Sequence, residues 1–210
     1  MFSLPLKKQL TKQLTLPESL ELERGLIWIA ALLTPTQQQR LLKLIDSGDW
    51  QQPLWLPQHH RLQVYGWRER PTCDLSRLSE KRDYLGFIPF GFSTLQQRLK
   101  PWMPCCDQIV VHTASALCPL TCPTERSLHT LAPGLHVDHS KNYGNVIVTV
   151  ALSPIKLVFR RGMREPIVVE LDAGDALVMR DVFRYQWLHQ VLFDDAISQT
   201  FLTLRTLSLA

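Results

Sequence analysis

The stretches Asn145-Val-Ile-Val-Thr-Val-Ala-Leu152, Lys156-Leu-Val-Phe159, Pro166-Ile-Val-Val-Glu-Leu171 and Asp175-Ala-Leu-Val-Met179 follow one another with only turn-forming residues and a few charges between them. Each is short and rich in β-branched side chains, a composition that suits a pleated, partly buried surface better than a helix. Gln108-Ile-Val-Val-His112 precedes them, and Ser198 to Leu207 follows. Six such strands within about one hundred residues, with no helical period between them, predict an antiparallel sandwich or barrel. Ala173-Gly174-Asp175 reads as a hairpin turn between two of the strands.

Upstream the texture differs. Thr34-Pro35-Thr36 supplies an N-cap followed by proline at the first helical position, and Leu41, Leu42, Leu44 and Ile45 then fall on one stripe, so a helix is expected from about Pro35 to Ser47. A second helix fits Phe92 to Lys100, stopped by Pro101, and packs beside the first. Between them only Leu62-Gln-Val-Tyr-Gly-Trp67 alternates like a strand. The expected class is therefore α+β, with N-terminal helices packed on the outside of a β-sandwich. Residues 1–24 mix Lys, Gln, Leu and Pro without a period and read as an irregular lead-in to one domain over 25–210.

Composition narrows the class further. The 210 residues are 45% hydrophobic and 20% charged, which excludes a disordered chain or a bare coiled coil and allows a core that needs no disulfide or structural metal. The net charge of +4 permits an anionic partner without demanding one, and no basic block resembles a nucleic-acid-binding arm. Five cysteines, an odd number without a signal-like N-terminus, point to a reducing, intracellular (cytoplasmic) setting. The apolar run Leu26 to Leu33 is far short of the roughly 20 residues that span a bilayer, so no membrane association is expected. A monomer is expected.

The β-rich half also carries His136-Val137-Asp138 and, fifty-three residues after His136, His189 in Trp187-Leu188-His189. On an extended strand, residues two apart share a face, so one imidazole and one carboxylate converge on a point that a distant histidine completes. Two histidines and a carboxylate on one side of a metal leave the other side open, as in non-haem Fe(II) oxygenases. His139, the next residue after Asp138, alternates to the opposite face and is left out.

The context of this triad resembles the AlkB-type 2-oxoglutarate/Fe(II)-dependent dioxygenases. The similarity runs from Gly25 to Trp50, through Arg61-Leu-Gln-Val-Tyr-Gly-Trp67 and Ile88-Pro-Phe-Gly-Phe-Ser-Thr-Leu-Gln-Gln-Arg-Leu99, to Gly134-Leu-His-Val-Asp138 and Tyr143-Gly-Asn-Val-Ile147. Its most specific segment is Leu171-Asp-Ala-Gly-Asp-Ala-Leu-Val-Met179 leading into Phe183-Arg-Tyr-Gln-Trp-Leu-His189. The resemblance implies a double-stranded β-helix (jelly-roll) core, Fe(II) held by His136, Asp138 and His189, and 2-oxoglutarate as cosubstrate. It also implies oxidative demethylation of N-alkylated nucleobases in DNA or RNA, as in DNA repair, with an alkylated nucleic acid as partner.

Two departures from the family pattern bear on the cosubstrate. The family carries two arginines six apart on the last strand; here either Gln199 fills the first position and Arg205 the second, or Arg205 is the first and the chain ends before the second. The family's Asn-x-Tyr reads His112-Thr-Ala114. Arg205, Gln199 and His112 are the candidate cosubstrate contacts, although a histidine on an apolar strand also suits a core position. Tyr65 and Trp67 lie where the resemblance implies a nucleotide-recognition lid, where aromatic rings would stack on an extruded base; plain sheet packing is the alternative. Arg184, Tyr185 and Trp187 are expected to support His189, and Asp175 to be structural. A zinc site from Cys105, Cys106, Cys118 and Cys122 is disfavoured by the adjacency of the first two and by the prolines after the last two. Three functional readings stand open: the demethylase, a 2-oxoglutarate-dependent hydroxylase of tRNA or protein, and a non-catalytic AlkB-like binding protein with an altered cosubstrate site.

Overall fold

Along every central strand of the protein, alternate side chains enter two different apolar layers, and that division organises the fold. The computed structural model describes residues 19–52, 60–69, 82–84, 86–115, 135–138, 143–194 and 197–207. The strands are β1 (Ser19–Glu23), β2 (Leu26–Ile29), β3 (His60–Glu69), β4 (Arg82–Tyr84), β5 (Gln108–Ala114), β6 (Tyr143–Ala151), β7 (Ile155–Arg160), β8 (Ile167–Leu171), β9 (Ala176–Arg180), β10 (Leu188–Leu192) and β11 (Gln199–Leu207). The larger sheet has the order β1-β2-β9-β6-β11-β5-β3-β4 and the smaller β10-β7-β8; the strand pairs are antiparallel. Two packed antiparallel sheets with this crossover order form a double-stranded β-helix, the α+β class expected.

One face of the larger sheet meets the helices. Helix α1 (Pro35–Asp46) starts where the sequence places it: Thr34 caps Gln37 N and the Gln37 side chain returns the bond to Thr34 N, a reciprocal capping box with Pro35 in the first turn. Leu41 and Ile45 of α1, and Leu95 and Leu99 of α2 (Ser93–Leu99), pack on Ile109 and Val111 of β5, Val148 and Val150 of β6, and Leu202 and Leu204 of β11. The intervening residues Ile147, Ala151 and Phe201 turn to the other side, against Ile155, Leu157, Phe159, Val169 and Leu171 of the smaller sheet. Burying each such large side chain contributes about 1.5–3 kcal/mol, and a one-residue slip would exchange the two layers, so the register is strongly specified.

Four expectations are corrected. Ser19–Glu23 is not part of an irregular lead-in but an edge strand paired with β2; residues 1–18 lie outside the described residues. Ala173-Gly174-Asp175 does not close a hairpin: β8 lies in the smaller sheet and β9 in the larger, so the turn carries the chain between sheets. Gly174 adopts φ +94, and a side chain there would strike the Leu33 carbonyl. Asp175 is structural, accepting from Ala31 N (2.9 Å), Trp28 Nε1 (3.1 Å) and Asp172 N (3.2 Å). Third, the strands are interrupted by a helix after all, α3 (Asp181–Gln186), short enough to escape periodicity. Asn145 bonds Asp181 both ways (2.7 and 3.0 Å) and holds that residue at φ +53. Fourth, β10, which carries His189, is a strand that local composition did not announce.

Candidate metal centre

His189 sits on β10, and its backbone exchanges two hydrogen bonds with His136, 2.8 Å from His189 N to His136 O and 3.1 Å in return. A hydrogen-bonded antiparallel pair projects both side chains to one side, so the imidazole centroids lie 4.5 Å apart. Asp138, two residues on from His136, shares that side. The ligand atoms of the three residues lie within 4.8 Å of one another. They approach between the two sheets, with Phe159 beside His189 at 6.3 Å between centroids.

The electrostatics centre on Asp138, whose side chain is only 5% exposed. Oδ1 accepts from Arg205 Nη2 at 2.7 Å, whereas Oδ2 has no hydrogen-bond partner and faces His189 Nε2 at 3.4 Å. The backbone carbonyl of Asp138 accepts from Arg184 Nη1 at 2.9 Å. Burial opposes ionisation of this carboxyl, but Arg205, His189 and Arg184 outweigh it and hold its pKa well below the usual carboxylate range. A buried, ionised oxygen without a donor is costly in isolation, and two imidazole nitrogens beside it complete a donor set that suits a first-row divalent metal such as Fe(II).

The other anticipated residues divide into those the fold brings to this cluster and those it does not. Arg205 is there, its guanidinium 4.6 Å from the Tyr143 ring centroid. His112 is near: it faces the same interior, stacks on Phe201 (4.5 Å, 7° between planes), and burial, then Arg205, lower its pKa to about 3, so its imidazole is neutral. Gln199 is committed elsewhere, donating to the Pro154 carbonyl at 2.6 Å and accepting from Asp194 N at 2.8 Å, so its amide holds the chain together rather than facing the histidines.

Tyr65 is a correction. Alternation on β3 sends Leu62 and Val64 against Val110, and Gln63 and Tyr65 to the helix layer, where Tyr65 packs on Phe92 (5.2 Å between centroids) and its hydroxyl donates to Gln63 at 2.8 Å. Its ring is part of the core beneath α1 and α2, not a stacking platform at the metal centre. Gly66 then breaks the alternation at φ +80, where a side chain would strike the Asp107 carbonyl. Trp67 beyond it is half-buried, and its backbone N donates to Asp107 O at 3.1 Å.

Arg184 was expected behind His189; it instead donates to the backbone carbonyl of Asp138. It is 2% exposed. Phe183 and Trp187, stacked at 4.9 Å, fill the space behind it, and Tyr185 is exposed with the Arg184 guanidinium 5.0 Å from its ring centroid. Gln108 was not anticipated at all: Arg205 Nη1 donates to its Oε1 at 3.0 Å. No sequence signal marks a glutamine at a strand start as a partner of a residue ninety-seven positions away. Of the cysteines, Cys105 and Cys106 are free thiols, the latter donating to the Gln108 carbonyl, and burial pushes its thiol pKa up to about 12; Cys118 and Cys122 lie outside the described residues, as does the segment from 116 to 132 that contains them.

No protein-family model and no curated protein sequence matches the chain. Solved structures do. The chain is similar to OsALKBH1, with a TM-score of 0.62 at 15% identity over 90% of this chain and 100% of that one. It is similar to an oxidoreductase of the 2OG-Fe(II) oxygenase family from Burkholderia pseudomallei, with a TM-score of 0.59 at 13% identity over 87% and 84% of the two chains. A prolyl hydroxylase from Trichoplax adhaerens, solved with a hypoxia inducible factor peptide, gives a TM-score of 0.57 at 12% identity over 86% and 82%. At such identities the shared property is the fold: the chain has the double-stranded β-helix architecture of these oxygenase structures.

Proposed function

We propose that the protein is an Fe(II)/2-oxoglutarate-dependent dioxygenase that demethylates N-alkylated nucleobases. The observation that carries the reading is the His136, Asp138 and His189 cluster, with its orphaned Asp138 Oδ2, within a fold shared with 2OG-Fe(II) oxygenases. The likeness to OsALKBH1 favours a nucleic-acid substrate.

Bound Fe(II) would supply the activation of dioxygen, with 2-oxoglutarate as the two-electron reductant. The overall chemistry supplied there would place one oxygen atom in succinate with loss of carbon dioxide and the other in a substrate C–H bond, giving an N-hydroxymethyl group that would release formaldehyde. The chain's own residues prepare for this. His136, Asp138 and His189 would hold the metal through two imidazole nitrogens and one carboxylate oxygen, a donor set that suits Fe(II). Arg205 already balances the Asp138 charge, so a dication held there keeps its positive charge toward an anionic chelator. Phe159, Phe201 and Ile147 line the interior with apolar surface and limit water.

The test is aerobic turnover of the iron-loaded protein with 2-oxoglutarate and a single-stranded oligonucleotide carrying N-methylated bases. Succinate and formaldehyde released in equal amounts, and neither with His136→Ala, is expected. Succinate release stimulated by a peptide and not by any methylated DNA or RNA would move the reading to a protein hydroxylase, the alternative that the prolyl hydroxylase likeness favours.

A further inference from the structure

Arg205 can hold Asp138 Oδ1 only if its own fork is fixed, and its second terminal nitrogen is fixed by Gln108. That amide is 3% exposed and used at both ends: Oε1 accepts from Arg205 Nη1 at 3.0 Å while Nε2 donates to the Trp67 carbonyl at 2.5 Å. The same corner is closed by backbone. Asp107 N donates to Arg205 O (3.0 Å), Asp107 Oδ2 accepts from Leu207 N (2.8 Å), and Trp67 N donates to Asp107 O (3.1 Å), a contact that the left-handed turn at Gly66 permits. Trp67 is also the β3 residue opposite Tyr84 at the end of the β3–β4 pairing. A continuous polar chain thus runs from a ligand carboxylate, through a guanidinium and an amide, to the main chain of the β3–β4 hairpin.

We propose that Gln108 is a positioning residue for the metal centre, locking the Arg205 fork on Asp138 Oδ1 so that Oδ2 alone is presented, and thereby coupling occupancy of the centre to the β3–β4 hairpin. The inference rests on the metal-binding reading above. The physical case is one of counting acceptors. With Gln108 in place, the two terminal nitrogens of Arg205 have acceptors on two separate segments, Gln108 on β5 and Asp138 beside His136, and the guanidinium lies 4.6 Å from the Tyr143 ring centroid. Without it, Nη1 loses the Gln108 acceptor, and the fork gains freedom to rotate away from Oδ1. Asp138 would then present either oxygen, or both, to a metal. Groups that orient metal ligands in this way typically contribute 10–100-fold in metal affinity.

The experiment is a Co(II) titration followed by visible absorbance, which requires no turnover, on wild type, Gln108→Met, Arg205→Lys and the double variant. The expected result is about tenfold weaker Co(II) binding in Gln108→Met, an altered d–d spectrum, and a double variant no weaker than Arg205→Lys alone, because Gln108 acts through the arginine. Additive losses with an unchanged spectrum, or wild-type affinity in Gln108→Met, would overturn the relay. Should Gln108→Met fail to fold, hydrogen exchange on the wild type decides: Zn(II) should slow exchange at the Trp67 amide, and no change there would overturn the coupling. Absence of Co(II) binding by the wild type would instead overturn the metal-binding reading, and this inference with it.

Discussion

The two faces of β11 make opposite demands on sequence. Leu202 and Leu204 enter the apolar layer beneath the helices, where an apolar side chain of similar volume would serve. Phe201, Thr203 and Arg205, one residue out of phase, face the interior that holds His112, Asp138 and His189. There each polar group depends on another: Asp138 on Arg205 and Arg184, Arg205 on Gln108, Gln108 on the Trp67 carbonyl. The first face supplies stability and the second supplies arrangement, and one strand serves both because its side chains alternate.

Substitutions on the two faces should therefore separate metal binding from folding. The largest effect is expected from His189→Ala, which should abolish Co(II) binding while leaving the melting of the metal-free protein little changed; retained binding would show that the cluster is not the metal centre. Leu202→Ala, on the other face, should cost about 2–5 kcal/mol of stability in denaturant unfolding, with metal affinity intact in the folded protein. A loss of affinity equal to that of a ligand variant would erase the distinction between the faces.

A subtler contrast lies in pH dependence. The unfolded chain protonates His112 near its ordinary value of 6.5, whereas the folded protein keeps it neutral down to about 3. Between these values the unfolded state binds more protons, so this group makes stability fall as pH falls through the window, by up to about 1.4 kcal/mol per pH unit. His112→Phe should flatten the stability profile of the metal-free protein there, and an unaltered slope would place His112 in water. Smallest of all, Thr34→Ala removes the cap of α1 and should cost about 1 kcal/mol with nothing changed at the centre.

The same asymmetry explains what could be read from sequence. The β-branched runs, the Thr34-Pro35 cap and the His136-x-Asp138 spacing are local signals with local physical causes, and the structure contains the strands, the helix and the convergent pair they indicate. What escaped depends on partners far along the chain. The turn at Gly174 looks like any hairpin turn, because nothing in three residues says that the next strand joins the other sheet. Tyr65 alternates correctly with its neighbours, yet alternation alone does not say which face of β3 is the helix side. Gln199 and Gln108 are both buried glutamines on interior strands; one is committed to Pro154 and Asp194 and the other to Arg205 and Trp67, a difference only tertiary structure reveals.

The most direct measurement of the central claim is an anaerobic absorbance titration of the Fe(II)-loaded protein with 2-oxoglutarate, which needs no substrate. Chelation of the metal by the oxo acid should produce a visible charge-transfer band in the wild type, weaken it in Arg205→Ala and remove it in His189→Ala. An iron-loaded wild type that shows no band at saturating 2-oxoglutarate would contradict the account and leave a metal-binding β-helix protein without that cosubstrate.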